Sequence, residues 1–232
     1  MANQAPYWDE LYRARRVTTS ATTPSDLALT AAATLDRPGR VMELGCGRGH
    51  DARYFAECGH SVVATDISPV ALREAKSLGG DAVTYVAADM TSSLPAGDEC
   101  FDVVYSRLSL HYFTDDVTRR VLSEIHRVLK PGAVFAALVK STKDPLYARG
   151  IRVERDMYVL DGHVRHFIDP PYLREVTAPL FDVEELSQYD GDAFGFPSSF
   201  TRLIARKRRP SGGPGSERSV RAPGRTWRGS SA

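Results

Sequence analysis

Val41-Met42-Glu43-Leu44-Gly45-Cys46-Gly47-Arg48-Gly49-His50-Asp51 is the stretch whose reading decides the fold. Arg40 to Leu44 is apolar on both sides of Glu43, as in a short strand covered on both faces. Gly45, Gly47 and Gly49 then remove every second side chain, so the backbone can turn tightly and a ligand can lie against its amides. A helix over roughly His50 to Cys58 follows and points its N-terminal amides at the same spot.

Working outward, the same alternation repeats. Upstream, Pro6 to Arg16 reads as a short amphipathic helix rich in aromatics. Thr23-Pro24-Ser25-Asp26 opens another, with Thr23 as cap and Pro24 at the first position, running to about Leu35. Downstream come strands over Ser61 to Thr65, Val83 to Ala87, Phe101 to Tyr105 and Ala133 to Val139. Helices from Ser68-Pro69 to about Leu78 and from Asp115 to Leu129, capped by Thr114 and stopped by Lys130-Pro131-Gly132, alternate with them. Asp169-Pro170 starts a last helix to about Pro179. Phe181 to Tyr189 and Phe200 to Ala205 read as strands with no helix between them, and therefore as an antiparallel pair. The expectation is an α/β, Rossmann-like, doubly wound seven-stranded sheet, mostly parallel with a C-terminal antiparallel strand pair.

The chain has 232 residues, enough for one domain with a full core. Its 42% hydrophobic and 25% charged residues are ordinary for a globular protein. Cys46, Cys58 and Cys100 are odd in number and lack metal spacing, which argues against a disulfide framework or a zinc site. No Asp/Asn/His cluster suggests a catalytic metal. No apolar run approaches membrane-spanning length, and no basic-then-apolar leader opens the chain, so a cytoplasmic protein is expected. From Arg206 onward there are eight basic residues and one acid, which leaves the first 205 residues at −6. An acidic body argues against a nucleic-acid partner. The Gly, Ser, Pro and Arg stretch after Pro210 is expected to be disordered.

Two cofactor classes use a glycine turn of this kind. A dinucleotide fold wants G-x-G-x-x-G, whereas the spacing here is G-x-G-x-G, with Glu43 two positions before it. A carboxylate there repels a pyrophosphate and suits an ammonium or sulfonium. Glu43-Leu44-Gly45-Cys46-Gly47-Arg48-Gly49 resembles motif I of the class I S-adenosylmethionine-dependent methyltransferases. Ala64-Thr65-Asp66-Ile67-Ser68-Pro69, Ala88-Asp89-Met90, Phe101-Asp102-Val103-Val104 and Leu129-Lys130-Pro131-Gly132 match the family's order and spacing. Within it, G-C-G-R-G-H-D-A-R-Y-F-A and Tyr7-Trp8-Asp9-Glu10-Leu11-Tyr12 are loosely similar to the tellurite-resistance and thiopurine methyltransferase branch.

The resemblance implies a cytoplasmic enzyme that moves a methyl group from S-adenosylmethionine to a small-molecule O, N or S nucleophile. It also implies N-terminal helices or lid over 1–38, a cofactor-binding domain over 39–206 with a lid insertion at about 140–168, and a basic tail over 207–232. Asp66 would hold the ribose hydroxyls and Asp89 the adenine amine, with Met90 on the ring; for each the structural alternative is a turn or capping aspartate. Glu43 would face the cationic end of the cofactor, backbone carbonyls at Ser106 and Arg107 its ammonium, and Trp8 its methionine. Gly45, Cys46, Gly47 and Ile67 complete the implied cofactor contacts.

His111, just past the fourth strand, is the candidate general base for a protonated nucleophile; the alternative is a histidine that lines or packs the cleft. Arg165 and His166 are candidates for an anionic or polar acceptor, the alternative being lid residues paired with acids; Tyr112 is a further candidate substrate residue, and Tyr12, Tyr147 and Tyr158 are candidates for aromatic walls, the alternative being surface packing. No membrane partner is expected, and the chain would act as a monomer or homodimer. Other readings are a thiol or chalcogen S-methyltransferase of detoxification type, a non-catalytic cofactor-binding subunit and, at the level of the fold, a nicotinamide dehydrogenase.

Overall fold

In the computed structural model, residues 4–14, 23–79, 81–193 and 195–209 are described. In chain order the elements are α1 (Ala5–Arg13), α2 (Asp26–Ala33), β1 (Arg40–Leu44), α3 (His50–Glu57), β2 (Ser61–Asp66), α4 (Pro69–Gly79), β3 (Val83–Ala87) and β4 (Phe101–Arg107). There follow α5 (Asp115–Val128), β5 (Leu129–Lys140), β6 (Ile151–Glu154), β7 (Met157–Leu160), β8 (His163–His166), α6 (Pro170–Thr177), β9 (Phe181–Ala193) and β10 (Phe196–Lys207).

Seven strands form one sheet in the order β3-β2-β1-β4-β5-β10-β9. The first five run parallel; β10 pairs antiparallel with both β5 and β9. Strand alternation builds a core on each face. Met42, Leu44 and Val104 point toward α5 and α6, while Val41, Val103 and Ala64 point toward α2 and α3. The chain winds outward from β1 to β3 and then returns to place β4 on the other side of β1. The carboxyl ends of β1 and β4 thus form the crevice where such sheets take ligands.

Several details differ from the expectation. The helix after Thr23 is capped by Ser25, whose Oγ accepts from the Ala28 amide at 3.2 Å, and Pro24 precedes the cap. Thr114 occupies the cap position of α5 but makes no side-chain bond there. Lys130-Pro131-Gly132 does not separate α5 from the next strand. It lies inside β5, where the register jumps from Phe101↔Leu129 to Val103↔Val134. Pro131 has no amide to give the ladder, and an irregularity of this kind is where a strand tolerates it.

The segment read as a lid loop is folded. β6, β7 and β8 form a separate antiparallel sheet of three strands, paired Ile151↔Val159 and Leu160↔His163. Lys207, assigned to the tail, ends β10; it is buried and donates to Leu129 O at 2.8 Å. Residues 15–16 of the first expected helix, Gly80 and the tail from Pro210 onward lie outside the described residues.

Candidate active site

The turn after β1 is held from three sides. The Cys46 amide donates to Thr65 O at 2.9 Å. The Gly47 amide donates to Asp66 Oδ2 at 2.8 Å, and the Ser68 amide to Asp66 Oδ1 at 2.8 Å. Below the turn, Ser109 Oγ donates to Leu44 O at 2.8 Å. Gly45 and Gly47 have φ of 69° and 54°, in the left-handed region. A Cβ on Gly45 would stand 2.3 Å from Ser109 Cβ, and one on Gly47 2.6 Å from the Tyr12 hydroxyl. Glycine is therefore required at both positions by conformation and by space.

Acids collect beside this turn. Glu43 is 4% exposed, and its Oε2 has no hydrogen-bond partner. Burial, reinforced by Asp51, raises its pKa well above the ordinary carboxylate value, against the pull of Arg107. Asp51 is well satisfied: it accepts from the Ser25 amide at 3.0 Å, Ser25 Oγ at 2.9 Å and the Tyr105 hydroxyl at 2.6 Å. Sequence reasoning missed this link, which ties the start of α2 to α3. Burial also raises Asp66, although the Ser68 and Gly47 amides favour its charged form. Asp89, at the end of β3, accepts from both the amide and the hydroxyl of Thr91 through Oδ1.

These groups line a cleft of about 990 Å³. Of the expected site residues, Trp8, Tyr12, Glu43, Gly45, Cys46, Gly47, Asp66, Ile67, Asp89, Met90, Arg107, Tyr112 and Arg165 line it. Helix α1 forms one wall. Asp9 fixes it there, accepting from Ser68 Oγ at 2.5 Å and from the Val70 amide at 3.3 Å at the start of α4. Tyr12, expected beside the acceptor, lines the cleft with its hydroxyl over the glycine turn.

Three expected residues do not line the cleft. Ser106 is wholly buried beneath the turn, 2.5 Å from Ser109 Oγ. His111 is 1% exposed, with its Nδ1 unpartnered and its ring 4.3 Å from that of Tyr112. Burial, followed by the charge of Lys140 and Arg165, pushes its pKa well below the imidazole value. A ring so buried, with a lowered proton affinity, is poorly suited to take a proton from the cleft.

His166 is also turned away: it is 3% exposed and bonded through Nδ1 to Phe113 O at 3.0 Å. Strand alternation is the reason. In β8, Arg165 faces the cleft together with His163, which was missed, and His166 faces the other side. Leu160-Asp161-Gly162-His163 carried the signal, since Asp-Gly between apolar pairs marks a two-residue hairpin.

The residues present fit S-adenosylmethionine. An unpartnered buried carboxylate oxygen at Glu43 suits a cation, and the N-terminus of α3, whose cap residue Gly49 has no side chain to satisfy the first-turn amides, suits a carboxylate. Among the described residues no group of His, Cys, Asp and Glu could hold a metal ion. None of their helices is long and apolar enough to cross a membrane.

Residues 42–137 match the family model described as a methyltransferase domain. Over this segment the chain is similar to methyltransferase domains. An uncharacterized methyltransferase of Synechocystis sp. is 41% identical over 97 residues, 42% of this chain and 45% of that protein. A malonyl-[acyl-carrier protein] O-methyltransferase of Pseudescherichia vulneris is 39% identical over 100 residues, 43% of this chain and 38% of that protein. The matched regions thus span less than half the length of these two relatives. The solved structure of Burkholderia thailandensis 1,6-didemethyltoxoflavin-N1-methyltransferase, with 1,6-didemethyltoxoflavin and S-adenosylhomocysteine bound, shares the fold. Its TM-score is 0.71 at 24% identity, covering 88% of this chain and 87% of that one.

Proposed function

We propose that the protein is an S-adenosylmethionine-dependent methyltransferase acting on a small-molecule acceptor. The observation that carries the reading is the glycine turn clamped by Asp66, with the unpartnered Glu43 carboxylate beside it. The proteins it resembles, one solved with S-adenosylhomocysteine and a small heterocycle, support the same reading.

When bound, S-adenosylmethionine supplies an electrophilic methyl group on a sulfonium that is already a good leaving group. The α3 N-terminus orients its carboxylate end. Asp66 accepts from the ribose hydroxyls through the lone pairs that the two amides leave free. Asp89 receives the adenine amine, with Met90 and Ile67 against the ring. Glu43 balances the cationic end. Trp8, Tyr12 and Tyr112 cover the cleft and exclude water, so the contribution of this chain is chiefly alignment in a dry site.

Neither histidine beside Arg165 is a strong base, and His50, which also lines the cleft, is bonded through Nε2 to Thr23 O. His111 is buried off the cleft, and burial holds His163, which does line it, down to about 3. This favours an acceptor whose nucleophile is unprotonated near neutral pH, such as a thiolate, a ring nitrogen, an aromatic amine or an acidic hydroxyl. The test is release of S-adenosylhomocysteine from S-adenosylmethionine across a panel of thiols, phenols, aromatic amines and aliphatic alcohols. Turnover with members of the first three classes is expected. Turnover confined to aliphatic alcohols contradicts the reading of the nucleophile. Absence of S-adenosylmethionine binding contradicts the reading of the enzyme.

A further inference from the structure

Beside the main cleft lies a second cavity of about 410 Å³, bounded by α1 and the three-stranded sheet. Tyr7, Leu11, His163 and Arg165 line both spaces. At their junction the walls are aromatic. The His163 ring stacks on Tyr7 at 5.0 Å and 28°, and meets Trp8 and Tyr112 edge-on at 5.5 Å and 5.0 Å.

Arg165 is the charged group at this junction. It is half-buried and makes no ion pair or hydrogen bond among the described residues. Of the other arginines that line the cleft, Arg48 pairs with Glu74 at 2.7 Å, Arg107 lies in the field of the buried Glu43 carboxyl, and Arg120 is exposed to solvent. The acids of the second cavity, Glu10 and Asp161, are exposed and do not pair with Arg165. Its charge is correspondingly felt by its neighbours, pulling down the proton affinities of His111, His163 and Tyr112. A guanidinium held out of bulk water without a counter-charge is a site for a planar anion, which it can grip through two parallel hydrogen bonds. The aromatic walls favour a flat ring over an aliphatic chain.

We propose that the recess formed by Tyr7, Trp8, Tyr112, His163 and Arg165 binds the methyl acceptor as a planar aromatic anion, with its ring against the aromatic walls and its carboxylate on Arg165. The proposal rests on the methyltransferase reading and names the acceptor class of that site. On that reading the carboxylate of the cofactor sits at the N-terminus of α3, which leaves Arg165 to the acceptor.

The test uses the full chain saturated with S-adenosylhomocysteine, titrated calorimetrically with 2-naphthoate, anthranilate and quinaldate and with the amide of each. At least one carboxylate is expected to bind about tenfold or more tighter than its amide. Arg165→Met should erase that preference while S-adenosylhomocysteine affinity stays within about threefold. Arg165→Lys, which keeps the charge, should restore part of it.

Equal binding of carboxylates and amides overturns the proposal, as does binding of neither by a protein that binds S-adenosylhomocysteine. A preference that survives in Arg165→Met overturns it too. Loss of S-adenosylhomocysteine affinity in a folded Arg165→Met protein would put Arg165 on the cofactor and overturn it in favour of that role. If the unaltered protein fails to bind S-adenosylhomocysteine, the methyltransferase reading fails first and the acceptor site falls with it.

Discussion

Asp66 Oδ2 accepts the Gly47 amide at 2.8 Å, so the end of β2 fixes the turn that follows β1. The same carboxylate takes the Ser68 amide and thereby sets the start of α4. One side chain thus registers two strand ends and a helix around the cleft.

The turn it holds leaves no room for a side chain. Gly47→Ala places a Cβ 2.6 Å from the Tyr12 hydroxyl on a residue with φ of 54°. The left-handed backbone alone costs roughly 1–2 kcal/mol, and the collision adds to it. Urea unfolding should show a loss larger than that, accompanied by weaker S-adenosylhomocysteine binding. Adding Tyr12→Phe removes the hydroxyl but not the backbone strain, so the double variant should recover only part of the loss. Full recovery would mean that the conformation at Gly47 is not constrained.

Glu43 makes ligand-free stability depend on pH. Its folded-state pKa is raised above 4.5 by burial and by Asp51. Between 4.5 and that raised value the folded protein binds more protons than the unfolded chain, so stability falls as pH rises. Glu43→Gln removes this contribution. Between pH 5 and 7 the variant should gain on the unaltered protein by at most about 1.4 kcal/mol per pH unit. Urea midpoints at pH 5, 6 and 7 check this, and parallel curves for the two proteins would contradict it.

His111 should matter to folding more than to rate. A general base contributes about a hundredfold or more, whereas His111→Gln is expected to keep methyl transfer within about tenfold. A hundredfold loss in kcat that recovers as pH is raised would return His111 to the role of base.

Lys140 and Asp144 form a buried pair at the end of β5, with Nζ to Oδ2 at 2.7 Å. Lys140 also donates to Ser198 Oγ at 2.6 Å, and the Ser199 amide donates to Asp144 at 3.1 Å. Asp144→Ala strands the lysine and should cost about 3–5 kcal/mol in urea unfolding. Lys140→Met combined with Asp144→Leu should be much closer to the unaltered protein. If the single and double variants are equally destabilised, the cost lies in packing rather than charge.

The sheet and its glycine turn were legible in the sequence because each rests on local chemistry. Gly45 and Gly47 sit where a Cβ has no room, and Asp66 follows a run of apolar residues that can only be a buried strand. Depth was not legible. His111 follows β4 at the distance expected of a cleft residue, yet packing turns its ring inward against Tyr112. The three-stranded sheet was obscured by strands of four residues, too short to show a period, and by turns at Asp156 and Asp161 with φ of 55° and 51° on residues other than glycine. Taking Asp161-Gly162 as a hairpin turn would have paired Arg165 with His163 and separated it from His166.

The most direct measurement is calorimetric titration of the protein with S-adenosylhomocysteine beside the Asp66→Ala variant. A dissociation constant on the order of micromolar in the unaltered protein, and no detectable binding in a folded variant, is the result expected of an Asp66-clamped cofactor turn. Equal binding by both proteins would contradict the role of Asp66, and no binding by either would contradict the assignment of the cleft to this cofactor.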